Sequence, residues 1–60
     1  MNRSYSNWSA TVVRTLIDHG VPVVEANNIV TDNEEWFAGA FNSGESAVLT
    51  ADEWFNYNEE

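Results

Sequence analysis

The chain has no cysteine, and only 60 residues in which to build a core. Domains of this length bury about 60% of the surface that their unfolded chains expose. Most of them add a disulfide, a structural metal or self-association. Disulfides and thiolate metal sites are excluded here, and the single histidine, His19, does not make a zinc site by itself. What remains is packing by large rings. Three Trp, three Phe and two Tyr, each able to bury roughly 150–250 Å², suffice for one small domain spanning residues 1–60.

Apolar periodicity gives that domain its elements. Trp8, Val12 and Leu16, with Val13 and Ile17 beside them, recur at helical spacing and predict a helix over residues 8–19. Ser6 or Asn7 is placed to cap its start, His19 suits its negative end, and Gly20 stops it. The middle of the chain admits two readings. Val21-Pro22-Val23-Val24 and Ile29-Val30 are β-branched, with Asn27-Asn28 between them as a hairpin turn. Against this, Val23, Ala26, Val30, Asn33, Phe37 and Ala40 alternate in steps of three and four residues. They form one inner stripe of a helix over residues 22–42, with Pro22 at its first position and Gly44 past its end. The helix is preferred, because strands would split Val23 and Val24 between opposite faces.

Two segments have the form of a capping box, Thr31-Asp32-Asn33-Glu34 and Thr50-Ala51-Asp52-Glu53. Val30 before the first would need an apolar partner at Glu35, whereas Leu49 before the second is matched by Trp54. The stapled box places a last helix over residues 51–57, after a loop at 43–46, and leaves 22–42 unbroken. The expected fold is all-α, a small three-helix bundle; the alternative is α+β with the Val21–Val30 hairpin. Glu35-Trp36-Phe37 and Glu53-Trp54-Phe55 echo each other, over too short a stretch to mark a duplication.

Charge bounds the function. Ten carboxylates face two arginines, Arg3 and Arg14, with no lysine, for a net charge of -8. Readers of DNA and RNA need a basic footprint, so direct nucleic-acid binding and anionic membrane surfaces are excluded as partners. A helix-turn-helix reader drawn around Gly20 fails on the same ground. Basic protein surfaces are attracted instead, over a Debye length of about 8 Å at physiological salt; the acidity also serves solubility. No apolar run of signal-peptide or membrane-spanning length is present, and a cytoplasmic address is expected.

Catalysis finds little to work with. Nucleophilic chemistry needs a nucleophile, a base and an orienting group in one cleft, and His19 reads most simply as a helix-end residue. Glu34 and Glu35 are adjacent on a helix and point about 100° apart, unlike an acid–base pair in a pocket. The segment Asp32-Asn33-Glu34-Glu35 lacks the alternating ligands, the glycine and the distal Glu of a calcium loop. Gly20, Gly39 and Gly44 are isolated, so no phosphate loop exists. Ala38-Gly39-Ala40 suits close helix approach within the domain, or else the contact of a homodimer. No catalytic residue, metal or cofactor is expected.

What remains is carboxylates interleaved with aromatic residues. Glu25, Asp32, Glu34 and Glu35 have almost no cation at i±4, so they are not laced into helix ion pairs, and Trp36 flanks the inner stripe. Glu59 and Glu60 fall at the disfavoured end of the last helix, or in a tail beyond it. These residues suggest an acidic binding or inhibitor protein that occupies a basic surface of a partner, either an enzyme or a nucleic-acid-handling protein, in effect imitating a phosphate backbone. Glu25, Asp32, Glu34, Glu35 and Trp36 are its candidate contacts. The alternative is a helical adaptor or antitoxin-like module that binds through exposed Trp8, Trp36 and Trp54. Salt separates the two: the first weakens steeply with ionic strength, the second hardly.

Overall fold

The computed structural model describes residues 4–58, which form four α-helices. Helix α1 spans Tyr5–Asp18, α2 Val23–Asp32, α3 Glu34–Asn42 and α4 Ala47–Asn58. The all-α expectation holds, and no strand occurs among the described residues, so the Val21–Val30 hairpin is excluded. The bundle has four helices rather than three, because the helix expected over 22–42 is two.

The break falls at Asn33, whose backbone leaves the helical region at φ -118°, ψ 33°. Its side-chain Nδ2 donates to the Ile29 carbonyl at 2.8 Å, the same carbonyl that its backbone N–H reaches at 3.1 Å. Asn offers the chain this local alternative to continuing a helix. The break gives α3 its own direction: α3 touches both α1 and α4, whereas α2 does not reach α4. The Thr31 box plays no part, since Thr31 lies inside α2.

Other boundaries move for identifiable reasons. The N-cap of α1 is Ser4, not Ser6 or Asn7; its hydroxyl accepts the Asn7 N–H at 3.0 Å, which brings Tyr5 into the first turn. Pro22 is the N-cap of α2 rather than its first helical residue. Helix α4 begins at Ala47 because Ser46 accepts the Leu49 N–H at 3.3 Å. Thr50 is then an interior residue, nearly fully buried, with its hydroxyl donating back to the Ser46 carbonyl at 2.7 Å. The expected Leu49–Trp54 staple does not form, and Leu49 is 65% exposed.

Helices α1 and α3 end alike. Gly20 and Gly44 take φ of 101° and 84°, a conformation that costs other residues a Cβ clash. In each case two amides turn back on the last carbonyls: Gly20 to Ile17 and Val21 to Leu16, Gly44 to Phe41 and Glu45 to Ala40. This is the Schellman arrangement, which satisfies carbonyls that a helix end leaves unpaired.

Helix α1 is the hub and touches the other three. It contributes Trp8, Val12 and Leu16 to a core completed by Ala26, Val30, Phe37 and Ala51. Val23 and Asn33, expected on the inner stripe of one long helix, are exposed. The Trp8 indole N–H donates to the Glu45 carbonyl at 2.9 Å, and the Trp8 ring packs with Tyr5 (5.9 Å) and Phe41 (5.5 Å). At the far end of α1 the His19 ring stacks on Phe55 at 4.5 Å, and its Nε2 meets the Asp52 carboxylate at 2.6 Å. Trp8 beside Glu45 and His19 beside Asp52 and Phe55 set α1 and α4 running in the same direction.

Candidate acidic and aromatic binding face

The turn between α2 and α3 collects most of the sequence-predicted contacts. Thr31, Asp32, Asn33, Glu34, Glu35 and Trp36 line an open hollow of about 420 Å³. Asp32 closes α2, where the negative pole of a helix disfavours a carboxylate, while Glu34 and Glu35 sit in the favoured first turn of α3. Glu25 is not part of this group. It lies in the first turn of α2, where a carboxylate likewise stabilises the helix, and it lines neither of the surface hollows formed around Trp36.

Trp36 is 49% exposed, although it touches Phe37 edge-on at 4.9 Å. Its neighbour Phe37 is fully buried. Trp36 and Asn33 also border a second cleft, of about 350 Å³, whose other wall is α4: Glu53, Trp54, Tyr57 and Asn58. Tyr57 is 84% exposed. The Glu-Trp-Phe echo thus has a spatial meaning: both Trp residues border this cleft, while Phe37 enters the core and Phe55 packs on His19.

Sequence reading missed Glu53, Tyr57, Asn33 and Asn58, and assigned Trp54 to a staple that does not exist. Trp54 and Tyr57 are one helical turn apart with Glu53 beside them, which was the available signal. Of the aromatic residues expected for the adaptor, Trp8 is withdrawn from the surface, at 4% exposure. Glu59 and Glu60 lie outside the described residues.

The electrostatics of the face are one-sided. Among the described residues the single ion pair joins His19 to Asp52, and none involves Asp32, Glu34, Glu35 or Glu53. No helix carries a basic residue in its last turn. Burial raises the Tyr5 phenol above its ordinary value, and the Glu34 charge adds to the rise. Its hydroxyl is enclosed with no hydrogen-bond partner among the described residues. No three His, Asp or Glu side chains among the described residues come close enough to hold a metal ion. No described helix is long and apolar enough to cross a membrane.

The chain matches no protein-family model, no curated protein and no solved structure.

Proposed function

We propose that this protein is a binding protein, not an enzyme, and that it occupies a basic surface of a partner protein with the face built from the α2–α3 turn and the C-terminal half of α4. The partner surface is one that itself handles nucleic acid, so the carboxylates stand where phosphates would. One observation carries the reading: Asp32, Glu34 and Glu35 gather beside the half-exposed Trp36 with no ion-pair partner among the described residues. Unpaired like charges in one place repel each other, and a basic partner relieves that repulsion. Exposed Trp and Tyr are the side chains that most often anchor interfaces, and Trp36 and Tyr57 are both available. With Glu25 on neither hollow, the contact set narrows to Asp32, Glu34, Glu35 and Trp36, extended by Glu53 and Tyr57.

The adaptor reading keeps one point of support, the exposure of Trp36 and Tyr57, with the charges then serving solubility. Surface plasmon resonance on a captured basic partner across a salt series separates the two. Rim charges act mainly on association and a central aromatic on dissociation. The expected result is an on-rate that falls with salt, a flattened salt dependence for the Asp32→Lys/Glu35→Lys double variant, and a shortened complex lifetime for Trp36→Ala. Affinity that stays constant from low to high salt, with normal binding by the double variant, overturns the acidic reading in favour of the adaptor.

A further inference from the structure

The cleft between α3 and α4 has a more specific chemistry than the hollow beside it. Trp36, Trp54 and Tyr57 border it without stacking on one another; Trp54 packs partly on the core, while Trp36 and Tyr57 are 49% and 84% exposed and leave ring surface open to a ligand. Its polar lining holds the Glu53 carboxylate and the Asn33 and Asn58 amides, beside the indole N–H groups of Trp36 and Trp54 and the Tyr57 hydroxyl. Glu53 supplies a carboxylate with no ion-pair partner among the described residues. Asn33 and Asn58 each use one amide N–H on the backbone of α2 or α4, donating to the carbonyls of Ile29 and Trp54 at 2.8 Å. Each keeps its amide oxygen as an acceptor, with one further N–H. Tyr57 and Asn58 also stand in the last turn of α4, which carries no basic residue. The negative pole of that helix favours a cation there.

Aromatic faces, an unpaired carboxylate and a negative helix pole together suit a ligand that is flat and cationic. The guanidinium of arginine fits on each count: it stacks on aromatic faces, pairs bidentately with a carboxylate and carries five N–H donors. Lysine offers a compact, strongly hydrated charge that matches the carboxylate but not the rings. The volume of about 350 Å³ is at the lower end of small-ligand pockets, adequate for one side chain and not for a folded element. We propose that this cleft receives an arginine side chain of the basic partner, stacked against Trp36, Trp54 or Tyr57 and paired with Glu53. The inference rests on the binding reading given above, from which it takes the sign of the partner's charge.

The test uses the whole chain and three short peptides, identical but for one central arginine, lysine or citrulline, followed by NMR of the Trp indole signals. The arginine peptide is expected to shift the Trp36 and Trp54 signals to saturation and to leave buried Trp8 unmoved. A surface cation–π contact corresponds to roughly a two- to fivefold change in affinity. The lysine peptide is therefore expected to bind weaker by about that factor, and neutral citrulline weaker still. Tyr57→Ala and Glu53→Gln are expected to lose about the same factor each, and Glu25→Gln to bind as the parent does. Tyr57 and Glu53 are both exposed, so neither change removes core packing. Equal binding of arginine and lysine peptides, indifferent to Tyr57→Ala, overturns the arginine cleft while leaving the acidic face standing. Absence of any shift overturns the cleft, and the salt series then decides the wider reading alone. Trp36 and Trp54 signals that move on dilution of the protein without peptide assign the cleft to a second copy and overturn the proposal as well.

Discussion

Tyr5 is the residue at which the fold accepts a cost. Its ring is well used, stacked on Trp8 at 5.9 Å and edge-on to Phe41 at 5.5 Å, yet its hydroxyl is enclosed without a hydrogen-bond partner among the described residues. An unsatisfied buried hydroxyl costs about 1–3 kcal/mol. Tyr5→Phe keeps the ring and removes that cost, so its melting temperature near neutral pH is expected to equal or exceed the parent's. The same residue makes the fold sensitive to alkali. Because the folded phenol has a raised pKa, the folded chain holds that proton more tightly than the unfolded chain does. The stability this confers is complete below the ordinary phenol value of 10.0 and is lost as pH rises through the raised one. Thermal melts at pH 9 and 11 are expected to show a smaller alkaline drop for Tyr5→Phe. An equal drop in both would place the alkaline sensitivity elsewhere.

Among the elements, α4 separates what patterning reveals from what it hides. A polar box before an apolar residue pointed to a start at Thr50, but Ser46 caps the helix one turn earlier and Thr50 is interior. The apolar character of Leu49 said nothing about which way it faced. Leu49→Ala is therefore expected to change stability little, in keeping with a surface position. Phe37→Ala opens the centre of the core and is expected to cost about 3–5 kcal/mol, much of what a small domain possesses. Urea unfolding of the two variants measures both, and a large loss for Leu49→Ala would mean that α4 packs differently. Helix α1 was legible because its apolar stripe, its stop and the core it feeds agree. The α2–α3 break was not, because the stripe through Phe37 continues past Asn33 as though nothing happened. A side-chain bond to the Ile29 carbonyl leaves no trace in hydrophobic periodicity.

For the molecule as a whole, the radius of gyration is 10.6 Å, against about 10 Å expected for a compact chain of this length. The chain carries a net charge of -8, and one ion pair occurs among the described residues. Added sodium chloride, from low to moderate concentration, is expected to raise the melting temperature by screening that repulsion. A steady fall would indicate that carboxylate pairing outweighs the repulsion. Half of the proposed binding face was readable in the same terms. Asp32, Glu34, Glu35 and Trp36 are near neighbours in sequence, and the three carboxylates needed only to be recognised as lacking a cation at helical spacing. Glu53, Trp54 and Tyr57 join them through the turn at Asn33 and the packing of α4 on α1, which no local pattern specifies.

The claim that these two segments form one binding face is tested most directly by mapping a footprint. The protein labelled with nitrogen-15 is titrated with a hexa-arginine peptide at near-physiological salt, and backbone amide shifts are followed along the chain. The account predicts that the largest changes cluster at residues 31–36 and 53–58, with Asp18, Glu25 and Glu45 little affected although each carries a charge. Changes spread over all the carboxylates alike, or centred on Glu25, would contradict it.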